Sequence, residues 1–417
     1  MNTDRAGAIA LDKADPLRGF RRRFINRDPE LIYLDGNSLG RLPRATRDRL
    51  RRVIDEEWGT ALIRGWDRWI ELAREAGDAL AGGVVQANPG EVVLSDSTSV
   101  NLYKLAAAAI DARPGRRVIV TDDDNYPTDL YILEGLAQQR GYELRVMTTD
   151  IDRGVTSADV AAALDDRVAL VSLSHVAYRS GAIADMAAIT AAAHEVGALT
   201  LWDTSHSVGS VRVPLEDAGV DLAVGCTYKH LNGGPGAPAF LYVRAALQAQ
   251  LRQPIWGWFS QRDQFEMARD YEPVDGIERF LVGTPGVLGL YGALEGIALT
   301  ATAGIDRIEA KVRALTSYAV ELSVAWLAPL GFALASPRDP YQRGAHITLH
   351  HPQAWQACQA LKAAGVIPDF RTPDRLRLGF AALYTTFTEV YDGLARLRDL
   401  VASGDHLAFP EQRSRVT

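Results

Sequence analysis

The strongest constraint on the fold is a regular alternation, through the middle of the chain, of short apolar runs with amphipathic helical patterns. Runs of strand length are followed by segments with alanine and leucine at three- and four-residue spacing. Such repetition predicts an α/β fold whose large domain has a mostly parallel, seven-stranded sheet covered by helices. The strands are predicted at Glu91–Ser95, Arg117–Thr121, Glu143–Thr148, Val168–Ser174, Leu199–Asp203, Leu222–Thr227 and Ala239–Val243. The helices are predicted at Val100–Ile110, Thr128–Arg140, Ser157–Leu164 and Asp185–Val196.

The pattern changes near Gly304, where a smaller α+β unit begins. A long amphipathic helix is predicted from Ile305 to about Pro329. Three strands (Gly331–Ala335, Ala345–His350, Arg375–Phe380) and two helices (Ala354–Ala364, Thr388–Val401) are predicted after it. We therefore predict a large domain over residues 70–303 and a small domain formed by residues 1–69 with 304–417, a division that suits a chain of 417 residues.

Charge and cysteine content argue against several classes of protein. The formal net charge is −7 at pH 7, so neither nucleic acid nor an anionic membrane is an expected partner. Two cysteines, Cys226 and Cys358, can form neither a disulfide framework nor a cysteine-rich zinc site, and no metal is expected. The N-terminus lacks the apolar stretch of a signal peptide, and no run of about 18 apolar residues occurs. We expect a cytoplasmic protein.

Parallel sheets bind ligands beyond the carboxyl ends of their strands, so functional residues should follow the strands directly. Asp203 ends one predicted strand, and Lys229 stands between the next strand and a glycine-rich loop. A lysine that forms a Schiff base and a carboxylate that keeps a pyridine nitrogen protonated are what pyridoxal 5'-phosphate (PLP) requires. Taken alone, Asp203 could cap a helix and Lys229 could start a surface turn. Their presence on consecutive strand ends predicts PLP as the cofactor, linked to Lys229.

A phosphate site is predicted at Ser97 and Thr98, which follow a strand and open a helix. Free amides and hydroxyls at a helix N-terminus bind anions, although the same residues could simply cap the helix. His206, close behind Asp203, is as consistent with a buried core histidine as with a neighbour of the cofactor ring. No G-x-G-x-x-G motif opens a helix at a strand end, which disfavours a nicotinamide cofactor.

A third strand end carries Tyr126, which is placed to stack on a ring. Thr128 and Asp129 follow it and could cap the next helix or contact the cofactor. These alternatives stay open on the residues alone.

With these residues in place, the chain resembles kynureninase, a family of fold-type I PLP-dependent hydrolases, over most of its length. Two motifs are specific: Tyr33-Leu34-Asp35-Gly36-Asn37-Ser38-Leu39-Gly40 and the loop Leu231–Pro238. The motif Gly283-Thr284-Pro285 is similar to the bacterial form of the family. The supporting motifs are Ser97-Thr98, Tyr126-Pro127-Thr128-Asp129, Asp203-Thr204-Ser205-His206, Tyr228-Lys229, Gly257-Trp258-Phe259, Val282-Gly283-Thr284-Pro285 and Arg375–Phe380.

The resemblance implies hydrolytic Cβ–Cγ cleavage of L-kynurenine, or its 3-hydroxy form, to anthranilate or 3-hydroxyanthranilate and L-alanine. This is a reaction of tryptophan catabolism and NAD biosynthesis. It also implies a homodimer with the active site at the subunit interface, to which Trp258 and Thr284 would reach from the partner. The implied catalytic residues are Lys229, Tyr228 and Asp203. The implied cofactor contacts are Ser97, Thr98, Tyr126, Pro127, Thr128, Asp129, Ser174, Asp203, His206, Tyr228, Lys229, Trp258 and Thr284. The implied substrate contacts are Arg377 for the carboxylate, Trp66 for the aryl ring, and Asn37 and Ser38.

One departure from the family bears on the substrate, because Ser260-Gln261 stands where members commonly have Gly-His. Two alternatives therefore stay open: another fold-type I PLP enzyme, such as a desulfurase-like lyase or an aminotransferase, and a non-catalytic scaffold. A desulfurase needs a nucleophilic cysteine on a mobile loop, whereas Cys226 lies in a predicted strand and Cys358 in a predicted helix. The intact Lys229 argues against a scaffold.

Overall fold

The computed structural model describes residues 4–412 and contains the seven-stranded sheet that the alternation predicts. The strands are β1 (Ile32–Tyr33), β2 (Val92–Ser95), β3 (Val118–Asp122), β4 (Glu143–Met147), β5 (Val168–Ser174), β6 (Leu199–Asp203), β7 (Leu222–Gly225), β8 (Ala239–Val243), β9 (Ala333–Leu334), β10 (His346–His350), β11 (Val366–Ile367), β12 (Asp369–Arg371) and β13 (Arg375–Gly379). The α-helices are α1 (Arg5–Ala14), α2 (Arg44–Arg52), α3 (Trp66–Trp69), α4 (Leu72–Leu80), α5 (Thr98–Asp111), α6 (Pro127–Arg140), α7 (Ser157–Ala163), α8 (Met186–Glu195), α9 (Ala245–Gln248), α10 (Val287–Ala303), α11 (Ile305–Trp326), α12 (Ala354–Ala363) and α13 (Phe387–Ala402). Short 3₁₀ segments lie at Arg18–Arg23, Leu62–Gly65, Trp258–Ser260, Ile277–Phe280, Ala328–Leu330 and Asp405–Ala408, and π-helical segments at Val53–Ala61 and Ala81–Val85.

The large sheet has the strand order β2-β8-β7-β6-β5-β3-β4. Strand β8 runs antiparallel to both of its neighbours, and the other strands all point the same way. Strands β2, β3 and β5 to β8 are buried almost throughout, as expected for apolar strands covered on both faces. Because the parallel strands share a direction, the segments that follow β2, β3, β5, β6 and β7 meet at one edge of the sheet.

Helix capping explains why α5 begins two residues earlier than its apolar spacing predicts. The Ser97 side chain accepts a hydrogen bond from the Val100 amide and so fixes the first turn at Thr98. The other predicted helices of the middle and C-terminal regions begin and end within three residues of the observed bounds.

Helix α10 is not predicted from the sequence, because its glycine, alanine and leucine residues leave no polar face for periodicity to reveal. Its glycines pack against the backbone of the loop that follows Lys229. A Cβ atom at Gly296 would lie 1.8 Å from the Leu231 carbonyl oxygen, and one at Gly292 would lie 2.6 Å from the Gly233 carbonyl oxygen. The helix therefore supports the lysine-bearing loop by close backbone contact.

A second, antiparallel sheet of order β12-β13-β10-β9 forms the small unit together with the parallel pair β1-β11. Its apolar cluster contains residues of α11, α12 and α13, and also Ala8, Ile32 and Leu34 from the N-terminal region. Helix α2 instead packs against α10, and Val53 and Trp69 belong to the cluster of the large sheet. The division at residue 69 stays a prediction.

No single helix among residues 4–412 is long and apolar enough to cross a membrane. The adjacent helices α10 and α11, bent by 82°, satisfy that requirement of length and composition only as a pair.

Candidate active site

A cavity of about 360 Å³ lies at the edge of the large sheet where the carboxyl ends of the parallel strands meet. Its walls come from the segments that follow β2, β3, β5, β6 and β7 and from the start of β8. Ten of the residues predicted to form the site line it: Ser97, Thr98, Tyr126, Thr128, Asp129, Ser174, Asp203, His206, Tyr228 and Lys229. The fold therefore brings together side chains that lie between positions 97 and 229 in the sequence.

Lys229 enters the cavity from the loop after β7, and its Nζ lies 3.0 Å from Nε2 of His206. Burial lowers the pKa of His206 well below its ordinary value, and the positive charge of Lys229 lowers it further. The imidazole is therefore neutral, accepts a hydrogen bond from Lys229 at Nε2, and carries its own proton on Nδ1. The Lys229 Nζ also lies 5.9 Å from the ring centroids of Tyr126 and Tyr228.

Two carboxyl groups, those of Asp203 and Asp129, share another wall of the cavity. Asp203 ends β6, and its Oδ1 accepts a hydrogen bond from the Ser205 amide at 2.7 Å. Asp129 lies in the first turn of α6, where burial raises its pKa well above the ordinary value and the negative charge of Asp203 raises it further. A side-chain hydrogen bond between the two carboxyl groups raises the pKa of Asp129 as well, so the neutral form of Asp129 is favoured beside Asp203.

The start of α5 forms the opposite end of the cavity and is suited to bind an anion. Ser97 caps the helix while Thr98 and Ser99, the first helical residues, line the cavity beside it. Capping and anion binding, which the sequence leaves as alternatives for Ser97 and Thr98, are compatible here. The positive end of the helix dipole and its free amides face the cavity from this side.

Aromatic side chains flank the space between the lysine and the helix N-terminus. Tyr126 meets Tyr178 edge to face, with ring centroids 5.6 Å apart. Burial raises the pKa of Tyr228, and the neighbouring Cys226 thiol raises it further, so the Tyr228 hydroxyl keeps its proton. Pro127, predicted as a cofactor contact, begins α6 and is not among the residues lining the cavity.

Arg377 lies behind the cavity wall at the centre of β13 and is 1% exposed. It forms an ion pair with Asp369, and it donates hydrogen bonds to the Ser38 hydroxyl at 3.0 Å and to the Tyr178 carbonyl at 2.6 Å. Burial, and then the charge of Asp369, raises the pKa of Asp35 to about 6. The Nε of Arg377 lacks a partner among residues 4–412.

The side-chain amide of Asn37 is fully buried near the same cluster, and neither of its polar atoms has a partner in the described chain. Arg377 is thus joined to the cavity wall through the Tyr178 carbonyl, Ser38 contacts Arg377, and Asn37 packs against Gly379 at the end of β13, but none of the three lines the cavity.

Three predicted residues lie away from the cavity in the single chain. Trp66 packs between Trp69 and Phe259, with centroid distances of 5.5 and 6.0 Å. Trp258 is 40% exposed, and Thr284 lines a neighbouring cavity that shares Asp96 with the first. A contribution of Trp258 and Thr284 to a partner subunit stays a prediction.

The sequence does not single out three lining residues, Val176, Tyr178 and Ala239. Asp96 and Ser99 lie in the polar run Ser95–Ser99 that gives the phosphate prediction, and Ser205, Gly236 and Ala237 lie in motifs of the resemblance. Tyr178 follows β5 by four residues, so the strand-end rule could have found it. Ala239 opens the reversed strand β8, whose direction the sequence does not reveal.

Comparison with family profiles gives two matches. Residues 67–330 match the aminotransferase class-V family, and residues 308–397 match the kynureninase C-terminal domain. Together they span most of the chain.

Curated relatives match the chain over nearly its whole length. A kynureninase of Pseudomonas fluorescens is 43% identical over 408 residues, which cover 96% of each chain. A kynureninase of Burkholderia pseudomallei (strain 1106a) is 44% identical over 405 residues and 95% of each chain.

Solved structures share the fold at low sequence identity. A cysteine desulfurase of Thermococcus onnurineus, solved without ligand, has a TM-score of 0.79 at 20% identity and covers 95% of this chain and 98% of its own. The protein C-DES, solved with glycine covalently linked to its PLP cofactor, has a TM-score of 0.78 at 18% identity and covers 91% and 99%. These likenesses confirm the fold-type I architecture.

The donor set of the cavity fits PLP. A helix N-terminus with hydroxyl groups suits the phosphate, aromatic and imidazole rings suit the flanks of the pyridine, and Lys229 suits the aldehyde. His206 Nδ1 is a buried polar atom without a partner among the described residues. A polar cofactor in the cavity would supply one.

The raised pKa of Asp129 beside Asp203 predicts that replacing the two carboxyl groups has different effects on PLP binding. Asp203→Asn removes the negative charge that would face a pyridinium, so the Kd for PLP should rise at least about tenfold, as expected when a charged hydrogen bond is lost. Asp129→Asn keeps the shape of the side chain, and the raised pKa of Asp129 already favours an uncharged group there, so the Kd should stay within about threefold of the wild type. Titration of cofactor-free protein with PLP measures both values. A larger loss for Asp129→Asn than for Asp203→Asn would contradict the assignment.

Proposed function

The chain belongs to the kynureninase family, and we propose on that premise that it is a PLP-dependent hydrolase that cleaves the Cβ–Cγ bond of L-kynurenine or 3-hydroxy-L-kynurenine. The products are anthranilate or 3-hydroxyanthranilate, together with L-alanine. The observation that carries the proposal is the strand-end cavity, in which Lys229 faces His206, Asp203, Asp129 and a helix N-terminus.

PLP supplies an electron sink that stabilises negative charge on the substrate carbons attached to its imine. Lys229 would hold the cofactor at Nζ and, once released by the substrate amine, would move the Cα proton. Asp203 would pair with the ring nitrogen and keep it protonated. The Thr98 and Ser97 groups at the start of α5 would bind the phosphate. Their positions around one cavity support these roles.

Most of the remaining predicted cofactor contacts line the cavity, whereas Pro127 does not. Tyr126 and His206 would flank the ring from the cavity walls, and Thr128 and Ser174 would add polar contacts from neighbouring strand ends. The Ser174 hydroxyl is held in place because it donates to the Asn125 side chain at 2.8 Å. Pro127 would act only by setting the start of α6.

Tyr228 would act as a proton donor to the alanyl carbon after the bond breaks. Its raised pKa keeps the hydroxyl protonated, which this role requires. The hydroxyl belongs to the residue directly before Lys229, so both proton-moving groups come from the same loop. Close packing of α10 against that loop would fix the positions of Tyr228 and Lys229 relative to each other.

Arg377 would bind the substrate carboxylate, with Ser38 and Asn37 beside it. In the single chain its guanidinium already contacts Asp369, Ser38 and the Tyr178 carbonyl. A carboxylate bound at the guanidinium edge formed by Nε and Nη2 would use the unpartnered Nε and would share Nη2 with Ser38 and Asp369.

The aryl pocket would include Trp66, close to the segment that carries the Ser260-Gln261 departure. Ser260 is buried, donates to the Gly257 carbonyl at 2.9 Å and accepts a hydrogen bond from the Tyr271 hydroxyl at 3.0 Å. This loop is closed by its own hydrogen bonds and offers no imidazole to the aryl ketone. The choice between kynurenine and its 3-hydroxy form would therefore depend on other groups.

We further propose a cytoplasmic homodimer in which Trp258 and Thr284 complete the partner's site. The exposed side chains of Trp256, Trp258, Phe265 and Met267 support an interface on this segment. Both cysteines are free and buried, which suits a reducing compartment. Residues 70–303 would form the cofactor-binding domain of each subunit, and residues 1–69 with 304–417 the small domain.

A desulfurase-like activity is less well supported, although the solved structures of that class share the fold. Burial raises the pKa of the Cys358 thiol to about 12, and burial also raises that of Cys226. Neither thiol is an accessible nucleophile.

Purified protein loaded with PLP should release anthranilate from kynurenine or 3-hydroxyanthranilate from 3-hydroxykynurenine, because Lys229, Tyr228 and Asp203, the proposed catalytic residues, all line the cavity. Product fluorescence measures the rate, and the ratio of the two kcat/KM values identifies the preferred substrate. The Lys229→Met variant is the matched control for background hydrolysis. Release of neither product by the loaded wild-type protein would contradict the proposal.

Mixing two impaired variants tests the shared active site. Arg377→Gln should raise KM by at least about 30-fold, because a charged partner of the carboxylate is lost. Trp258→Ala should impair the partner's site. In a mixed dimer, the site that keeps its own Arg377 and receives Trp258 from the other subunit is intact, so a component with wild-type KM should appear on mixing. Activity that equals the sum of the separate variants would contradict a shared site.

A further inference from the structure

Lys104 is a buried charge that the proposed mechanism does not use. It lies in α5, the helix whose N-terminus faces the cavity, and its side chain is 0% exposed. Its Nζ contacts the Asp96 Oδ2 at 2.7 Å, the Phe280 carbonyl at 2.8 Å and, more weakly, the Ser95 hydroxyl at 3.4 Å. Burial of an ammonium group is costly and lowers the pKa of Lys104, while the Asp96 charge opposes that shift. Because burial of the Lys104 ammonium group is costly, we expect this side chain to have a role.

Asp96, the ion-pair partner, is part of the cavity wall directly before Ser97. Its backbone has a φ of 50°, in the left-handed region that few side chains adopt without support. Its carbonyl accepts a hydrogen bond from the Ala239 amide at 2.9 Å, and its carboxylate is 27% exposed. The turn at Asp96 determines where the amides at the start of α5 point.

The negative charge of Asp96 must also be neutralised if a phosphate binds beside it. An unneutralised carboxylate at Asp96 would repel a phosphate bound at Ser97 to Ser99, because both carry negative charge. The Lys104 ammonium cancels that charge from the buried side. It also anchors the Phe280 carbonyl, four residues before Thr284, and Thr284 lines the neighbouring cavity together with Asp96.

We propose that Lys104 is a positioning residue for the cofactor phosphate. It holds the Asp96 turn in its left-handed conformation, neutralises the Asp96 carboxylate, and ties both to the segment that carries Thr284. The role rests on the proposed cofactor site, but it does not depend on which amino acid is the substrate. Lys104 itself does not line the cavity, so it acts through Asp96.

The chain provides a matched control in Lys311. This second buried lysine pairs with Asp15 at 2.7 Å, with exposures of 5% and 4%, and lies in α11, away from the residues that line the cavity. Its replacement removes a lysine–aspartate ion pair with the same N–O distance as that of Lys104 and Asp96. A loss of stability is therefore expected in the Lys104 and the Lys311 variants alike, whereas a loss of phosphate affinity is expected only in the Lys104 variants.

The test compares the affinities of the cofactor-free protein for PLP and for pyridoxal, which lacks the phosphate. Absorbance titrations give both Kd values for the wild type, Lys104→Met, Lys104→Gln and Lys311→Met, and thermal unfolding of the cofactor-free proteins gives their stability. The ratio of the pyridoxal Kd to the PLP Kd should fall at least about tenfold in both Lys104 variants, because only phosphate binding is impaired. In Lys311→Met the ratio should stay within about twofold of the wild type, although its Tm is lowered.

Two outcomes would overturn the proposal: a wild-type ratio in both Lys104 variants, or an equal fall of the ratio in Lys311→Met. Lys104→Gln keeps a polar group at the end of the side chain and carries the test if Lys104→Met does not fold. Failure of the proposed hydrolysis would appear instead as missing anthranilate release by the wild type, so the two failures are distinguishable.

Discussion

The positive charge of Lys229 lies in a partly buried cavity, and the groups around it are arranged to be compatible with that charge. His206 is neutral and accepts a hydrogen bond from Nζ, while burial and the neighbouring Asp203 raise the pKa of Asp129 and favour its neutral form. In a low-dielectric environment two free carboxylates or a charged imidazole at these positions would be strongly unfavourable. The arrangement leaves one lysine and one aspartate as the charged pair available to a cofactor, which is what PLP chemistry requires.

Contacts outside the cavity hold these charged groups in position, as do contacts within its lining. Glycines of α10 allow the loop after Lys229 to pack directly on the helix backbone, which fixes the backbone of that loop. The ion pair of Lys104 and Asp96 fixes the turn before α5, and Asp369 fixes the guanidinium of Arg377. Each supporting contact constrains a group that would meet a different part of the ligand: the aldehyde, the phosphate or the substrate carboxylate.

Much of the fold and cavity follows from local patterns, and the parts that do not are those that depend on long-range packing. Strand ends identify Asp203 and Lys229 because parallel strands bring their carboxyl ends to one edge whatever lies between them in sequence. The reversed direction of β8, the helix α10 and the lining by Tyr178 depend on contacts between distant segments. The raised pKa of Asp129 depends on its burial beside Asp203, and its place in the sequence does not reveal that burial. Similarly, the sequence presents Lys104 as one more residue of an amphipathic helix.

The most direct test of the account is the identity of the lysine that holds the cofactor. The chain has five lysines, at positions 13, 104, 229, 311 and 362, of which only Lys229 lines the cavity. Protein loaded with PLP, reduced with borohydride and digested should carry the phosphopyridoxyl group on the peptide that contains Lys229, as read by mass spectrometry. Stoichiometric label on Lys104 or on any other lysine would contradict the account.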